Sequence, residues 1–359
     1  MFSANDRVLV YPVDRESLAL IKSTENYINV YIQRLISPVS WGHEGEKHKC
    51  SSGLVEVSCD YEDSLDDCTA VLIVDSWNKL DFKKFIKPAI TIAHEKGKRI
   101  VCSRSLTASE KTEISNFDVA YVELSLFSSP ISPDDRVNET SAPVISVMSS
   151  TEYCNQLYIE TALCTELRKR GYKTLLISSQ KEGAILGEYT IPNFMFSSSY
   201  NENDKVLAMN NYVCNLESIH QPDIIIIGIP GAAMSYDYQY SSDFGILAYE
   251  ISEAIKSDFS ILSSPCMPYD VEFFKKVEKV IYGRLGTYID IHSLSPYTID
   301  STSSEKNLSY LSVDEIYISD IIYRLGYDKL MNLNSMNGIL LAFSKIVDKF
   351  TDNMSSLIT

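Results

Sequence analysis

Pro222-Asp-Ile-Ile-Ile-Ile-Gly228 sets four consecutive isoleucines between a turn-forming pair and a glycine. β-Branched side chains are stiff at χ1 and fit a pleated surface. An apolar run with no polar alternation has no face to offer water, which is the pattern of a strand covered by helices on both sides of a parallel sheet. Thr69-Ala-Val-Leu-Ile-Val-Asp75 and Lys173-Thr-Leu-Leu-Ile-Ser178 have the same character, as does the strand that opens at Val144. After the first of these, Asp81 is placed to cap a helix, and Phe82, Phe85, Ile86, Ala89, Ile90 and Ala93 recur at helical spacing. Gly97 closes that helix and Arg99-Ile-Val-Cys102 opens the next strand. Pro88 falls inside and is expected to bend the helix, because its ring removes a backbone donor. Strand, helix and strand with short joints make a right-handed crossover. The chain is therefore expected to be α/β, with two Rossmann-like or P-loop-like three-layer domains and mostly parallel sheets.

A chain of 359 residues can bury two cores. Between Ser128 and Pro143 the sequence turns polar and proline-bearing, which predicts an N-terminal domain over 1–128, a linker over 129–143 and a C-terminal domain over 144–359. In the first, strands are expected at Arg7–Val13 and Tyr27–Ile32. In the second, the strand at Val144 leads into a helix that buries Ile159, Ala162, Leu163 and Leu167, carries Arg168, Lys169 and Arg170 in its last turn and ends at Gly171. Further helices are expected over Asp204–Ser218, Phe244–Ile255, Val271–Tyr282 and Asn337–Phe350, and strands at Phe259–Leu262 and Thr287–Ile291. A Ser/Thr-rich connection spans Ser301–Ser304.

The stretch Val144-Ile-Ser-Val-Met-Ser-Ser-Thr-Glu-Tyr-Cys-Asn-Gln156 runs from a strand through a polar loop into a helix. Such a joint offers unpaired backbone N–H groups and a helix dipole to an anion. The phosphate-loop pattern G-x-x-x-x-G-K-[ST] would fall on Ser150, Asn155, Gln156 and Leu157, and no position matches. In a doubly wound sheet ligands sit at the carboxyl ends of the strands, so this loop and Ile229-Pro-Gly-Ala-Ala-Met-Ser-Tyr236 are expected to face one crevice. The candidate ligand-binding residues are Ser149, Ser150, Thr151, Glu152, Tyr153, Cys154, Asn155 and Gln156 from the first loop and Pro230, Gly231, Ala232 and Tyr236 from the second. Without a lysine at 156, a ligand there must rely on backbone amides and on Ser149, Ser150, Thr151 and Asn155.

Other constellations read as structure. His43-Glu-Gly-Glu-Lys-His48 is not H-E-x-x-H, since the histidines are five apart and Gly45 interrupts a helix; a surface loop is expected, and no metal site. No histidine stands in a recognisable arrangement with a cysteine or serine, so no catalytic residue is assigned. Cys154 precedes a helix whose N-terminus could lower its pKa, against the commoner role of a small side chain filling a loop. Asp75, Asp223 and Asp243 lie at strand or loop ends, where capping and turn chemistry outweigh Mg²⁺ binding. Tyr236, Tyr238 and Tyr240 alternate like one face of an extended segment, suited to a peptide or acyl groove or to a packed lid. The eight cysteines contain no C-x-x-C pair and read as free thiols in a reducing compartment. A net charge of −16 weighs against a nucleic-acid or anionic-membrane partner. The N-terminus carries no signal-peptide pattern and the apolar runs are strand-sized, so a cytoplasmic protein is expected.

Pro222-Asp-Ile-Ile-Ile-Ile-Gly-Ile-Pro-Gly231, Phe244-Gly-Ile-Leu-Ala-Tyr-Glu-Ile-Ser252 and Asp258-Phe-Ser-Ile-Leu262 resemble a clostridial family of peptide maturation system proteins. Pro38-Val-Ser-Trp-Gly42 and Leu80-Asp-Phe-Lys-Lys-Phe-Ile-Lys-Pro88 extend the resemblance to most of the chain. It implies a place beside ribosomally made peptide natural products, bacteriocin-like precursors among them, and their radical-SAM maturases. More distantly, the two-domain plan resembles the D-glutamate N-acetyltransferase family, a Rossmann-like domain followed by a P-loop domain that handles acetyl-CoA. Relatives of both kinds carry G-T-x-x-x-G-K or G-T-x-x-Q-G-K at the loop. The Ser-Ser-Thr-Glu-Tyr-Cys-Asn-Gln found here lacks the lysine that neutralises phosphate charge, which weighs against nucleotide hydrolysis and, less strongly, against acyl transfer. The expectation is an accessory protein that binds a precursor peptide or its maturase and requires no cofactor. The alternative is an acyltransferase-like enzyme with a nucleotide or CoA across the two loops, and a third reading is a structural homodimer.

Overall fold

The structure is a computed structural model that describes residues 2–3, 5–27, 30–77, 79–127, 136–237, 239–300, 302 and 308–356. The chain divides into two compact units, Met1–Leu124 with Lys181–Glu188, and Ser125–Gln180 with Tyr189–Thr359. Lys181–Glu188 is an excursion of the second half of the sequence into the first unit. Residues 129–135 of the expected linker, Tyr238 and most of Ser301–Ser304 lie outside the described residues.

The first unit runs β1 (Arg7–Tyr11), α1 (Arg15–Ser23), β2 (Tyr31–Ile36), β3 (Lys47–Cys50), β4 (Gly53–Ser58), α2 (Tyr61–Ser64), β5 (Ala70–Ile73), α3 (Lys87–Glu95), β6 (Arg99–Cys102), α4 (Ala108–Glu113) and β7 (Val119–Tyr121). Its sheet has the order β3-β4-β2-β1-β5-β6-β7, parallel except for the β3–β4 pair. The second strand begins at Tyr31, four residues later than Tyr27–Ile32 suggested, because Thr24–Asn26 continues α1 as a 3₁₀ turn. Pro88 falls just after a π turn in continuous helical backbone. Phe82–Ile86 forms one turn of π-helix capped by Asp81, and Pro88 stands in the first turn of α3, where a missing N–H leaves nothing unpaired.

The second unit runs β8 (Val144–Ser149), α5 (Gln156–Lys169), β9 (Thr174–Ser178), β10 (Tyr189–Thr190), α6 (Glu202–His220), β11 (Ile224–Gly228), α7 (Ile246–Ala254), β12 (Phe259–Ser264), α8 (Val271–Leu285), β13 (Ile291–Leu294), β14 (Tyr297–Ile299), β15 (Tyr310–Ser312), α9 (Glu315–Leu325), β16 (Leu330–Met331) and α10 (Met336–Ser356). Seven parallel strands in the order β10-β9-β11-β8-β12-β13-β16 form its sheet, and β14–β15 is a separate antiparallel ribbon. β8, β9, β11, β12 and β13 are buried at every position, as strands covered on both faces must be. One face packs Ile225 and Ile227 with Met209, Val213 and Ile251; the other packs Ile224 and Ile226 with Leu163, Leu167, Ile339 and Ile346. The strand after α8 starts at Ile291 rather than Thr287, because Gly286 caps the helix in the left-handed region and the chain then needs 287–290 to reach the sheet.

Both units are thus α/β, three-layered and Rossmann/P-loop-like. Among the described residues no helix is long and apolar enough to cross a membrane.

Candidate functional site

β8 is the central strand of the second sheet, between β11 and β12, so the loop that follows it opens where parallel α/β sheets place ligands. Main-chain hydrogen bonds join it to the loop after β11: Ile229 N donates to Val147 O over 2.9 Å and Ala233 N to Ser149 O over 2.7 Å. The two predicted loops do face each other.

Between them the space is filled by the chain itself. Gln156, at the position of a phosphate-loop lysine, is 6% exposed. Its Nε2 donates to Val147 O at 2.8 Å and to Ile229 O at 2.6 Å. The Ser149 hydroxyl lies 2.8 Å from Gln156 Oε1 and 2.9 Å from Gly231 O, and gives its one proton to either. Ser150 N donates to Ser263 O at 2.9 Å, which spends one of the amides that an anion would need. Thr151 is fully buried, with its hydroxyl 3.3 Å from Cys154 Sγ. Asn155 Nδ2 donates to Asn334 Oδ1 over 2.9 Å. Tyr153 and Asn155 both hold positive φ, at 56° and 58°, a conformation that glycine adopts without cost and other residues adopt under strain. Pro230 and Ala232 are buried, Gly231 is exposed with φ 71°, and Tyr236 is half-buried.

The helix dipole does not activate Cys154. The thiol is buried, and desolvation pushes its pKa up to about 11, outweighing the opposing hydrogen bonds from Thr151 and Ser295. Its burial and raised pKa favour the role of a small side chain filling the loop.

The open space lies just outside the loop. A cleft of about 220 Å³ is walled by Glu152 from the loop after β8, by Tyr240, Ser241, Ser242 and Asp243 from the loop after β11, and by Tyr310 from β15. Tyr153 packs against Tyr310 with ring centroids 5.4 Å apart, which ties the β14–β15 ribbon to the loop. Desolvation, and after it the negative charge of Asp243, raise the pKa of Glu152. Asp243 is held by a turn of unusual hand: Ser242, Asp243, Phe244 and Gly245 have φ of 46°, 51°, 55° and 66°. Three consecutive non-glycine residues in this region are costly for L-amino acids. The turn is pinned at its end, because a Cβ on Gly245 would lie 2.4 Å from Ala233 O.

Of the predicted site residues, Glu152 alone lines this cleft. Asp243 is marked in the sequence only by its place near a loop end and Tyr240 only by the tyrosine alternation; Ser241, Ser242 and Tyr310 belong to no motif. The alternation of Tyr236, Tyr238 and Tyr240 does not mark an extended strand. Asp237 Oδ1 accepts from Gln239 N and Tyr240 N at 2.7 and 2.8 Å, and Tyr236 N donates to Tyr240 O at 3.1 Å, so the segment closes as an aspartate-capped turn. Asp223 and Asp75 do not cap local turns with these carboxylates but bridge segments distant in sequence, accepting from Lys173 N at 2.7 Å and Ser105 N at 2.9 Å. The 43–48 stretch is a loop only as far as Glu46, since Lys47 and His48 open β3; Glu46 pairs with both histidines, at 3.0 Å from His43 and 3.4 Å from His48. Among the described residues no three His, Cys, Asp or Glu side chains are grouped to hold a metal.

No sequence pattern singles out Glu160, one turn into α5 and fully buried. Its Oε2 accepts from Ser178 Oγ at 2.8 Å and Ser179 N at 3.1 Å, while Oε1 has no hydrogen-bond partner among the described residues and lies against Gly228. Desolvation raises its pKa to about 7, against the lowering effect of Ser179 and Ser178.

The fold and the loop define a two-unit α/β protein of Rossmann/P-loop-like architecture in which Gln156, at the place of a phosphate-loop lysine, is bonded to the Val147 and Ile229 carbonyls. No protein-family model matches the chain, and no curated protein matches it in sequence. Among solved structures it is similar to a DUF1611 family protein from Anabaena variabilis, with a TM-score of 0.60 at 13% identity over 94% of this chain and 99% of that one. A putative plasmid partition protein from Borrelia burgdorferi, bound to AMPPNP, aligns with 59% of this chain and 100% of its own at 14% identity and a TM-score of 0.34. A nucleotide-binding protein from Archaeoglobus fulgidus in complex with ADP aligns with 57% of this chain and 86% of its own, at 13% identity and a TM-score of 0.31. The first likeness is one of fold; the other two are too slight to carry an argument.

Proposed function

We propose that this protein is a non-hydrolytic binding protein that serves as an accessory in the maturation of a ribosomally synthesised peptide, engaging the precursor or its radical-SAM maturase. The observation that carries the first half is the engagement of Gln156. A phosphate-loop lysine works by bringing a positive charge to the β- and γ-phosphates. Here the equivalent side chain is neutral, buried and tied to two main-chain carbonyls and a serine hydroxyl. The second half rests on the resemblance of Pro222–Gly231, Phe244–Ser252 and Asp258–Leu262 to the peptide maturation family.

Calorimetry with ATP, GTP and acetyl-CoA tests the first half, with no saturable heat as the expected result. Co-purification with the precursor peptide and maturase tests the second, with association expected; normal maturation in its absence and no association would end the reading. The acyltransferase-like alternative draws nothing from Cys154, whose thiol is raised rather than lowered, and saturable acetyl-CoA binding is the result that would restore it. Restoring the lysine by Gln156→Lys should leave phosphate affinity unchanged, because Thr151, Cys154 and the bonded Ser150 amide still fill or consume the loop.

A further inference from the structure

We propose that the outer face of α7 and α8 is the docking surface for an acidic, amphipathic helical segment of the partner peptide. The two helices share one core beneath them, through Ala248 and Ile251 on the first and Val277, Ile281 and Leu285 on the second. On the outside Arg284 donates to Phe244 O, which brings the last turn of α8 against the entry to α7. Large apolar side chains stay uncovered there: Phe244 is 59% exposed, Ile246 50%, Tyr249 49% and Val280 42%. One exposed apolar residue is ordinary, but a group of them on two packed helices marks an interface. Gly283 is an independent sign. It lies on the exposed side of α8, one turn beyond Val280, and a Cβ there would meet nothing within 4 Å. Glycine weakens a helix relative to alanine, and no close approach among the described residues requires it here. It leaves room for the backbone of another chain to come against the helix. The charge beside this group selects the occupant. Glu272 and Glu253 are paired with Lys275 and Lys256, at 2.9 and 3.8 Å, whereas Lys276 and Lys279 make no ion pair among the described residues. Those two lysines stand one turn before Val280 and Gly283, on the same exposed side. At physiological ionic strength charges beyond about 8 Å are screened, so a docked segment meets these lysines rather than the net charge of −16. Two lysines release too few counterions to hold a nucleic acid, which leaves a peptide with apolar anchors on one helical face and acidic residues beside them.

This assignment rests on the binding-protein reading only in taking a peptide as the partner. The test is fluorescence anisotropy on the full chain with labelled synthetic helical peptides that share a leucine stripe at i, i+3, i+4 and i+7 and carry glutamate, glutamine or lysine at their other positions. Saturable binding of the glutamate peptide is expected, weaker binding of the glutamine peptide and none of the lysine peptide. Lys276→Glu combined with Lys279→Glu should reverse the order of the glutamate and lysine peptides, an exchange that damage to the fold would not produce. Gly283→Gln adds bulk while favouring the helix, so it should raise the unfolding midpoint and weaken the glutamate peptide by about tenfold or more. Equal affinity for all the peptides, an order unchanged in the double variant, or undiminished binding to Gly283→Gln would overturn the assignment. A concentration-dependent dimer in sedimentation that Val280→Asp abolishes would overturn it too, giving the face to a second copy of the chain. Co-purification with precursor and maturase that persists in the double variant would remove this face and keep the accessory reading. Binding of the glutamate peptide without any co-purification would keep the face and defeat that reading.

Discussion

Glu160 and Gly228 show how one close approach sets local chemistry. The carboxyl fits only because position 228 has no side chain: a Cβ there would lie 2.0 Å from Glu160 Oε1 and 2.5 Å from Ser179 N. The backbone nitrogen cannot swing away, so Gly228→Ala should lower stability by about 1–3 kcal/mol in denaturant unfolding, the range for overpacking. The buried carboxyl also makes stability depend on pH. Its folded pKa of about 7 stands above the ordinary 4.5, so the native state holds a proton that the unfolded state has released. That contribution is fully present below pH 4.5 and is lost as pH rises toward 7. Glu160→Gln keeps the shape without the titration. Relative to this variant, the native protein should lose about 3 kcal/mol between these limits, read from unfolding midpoints across pH. No loss would mean that Glu160 is ionised when buried.

At the scale of elements, the turn before α7 and the cap of α8 are the clearest cases. Gly245 needs both its positive φ and its missing Cβ, so Gly245→Ala should displace the left-handed turn and cost about 1–3 kcal/mol, read as a lowered unfolding midpoint. α8 is capped by Asp270, whose Oδ1 accepts from Phe273 N at 2.8 Å. Asp270→Ala should cost about 1 kcal/mol, measurable as a lowered unfolding midpoint. Along the same helix Glu278 gathers His292, Tyr327 and Lys329 at 3.1, 2.7 and 3.2 Å, joining α8 to β13 and to the segment that enters β16. The hydrogen bond from His292, followed by those from Tyr327 and Lys329, holds the Glu278 carboxyl down at about 2 despite its partial burial. Its stabilisation is complete above pH 4.5 and lost as pH falls toward 2, so Glu278→Gln should lessen the acid sensitivity of unfolding.

For the molecule as a whole, the surplus of acidic side chains is the property that governs encounters. A net charge of −16 gives an anionic polymer no counterions to release. Fluorescence anisotropy with a labelled duplex at low ionic strength should therefore show no binding; a salt-dependent rise would reveal a local basic surface.

The strands and the helices between them were legible because their signals are local: Ile224–Ile227 declares a buried strand whatever surrounds it, and Asp81, Gly97 and Gly171 mark helix ends by backbone chemistry. The absence of a lysine at 156 was likewise plain in the chain, and with it the expectation that phosphate would not be held by charge. What replaced the lysine's role was not. That Gln156 reaches Val147 O and Ile229 O, that Tyr310 comes from a ribbon more than 150 residues later to rest on Tyr153, and that Asp243 turns toward Glu152 all depend on contacts between residues distant in sequence. The order of residues determined the layers and where their loops would open. Only the tertiary structure decided that the predicted loop would be filled and the open cleft would form beside it, because side-chain packing is settled by neighbours that a linear pattern does not contain.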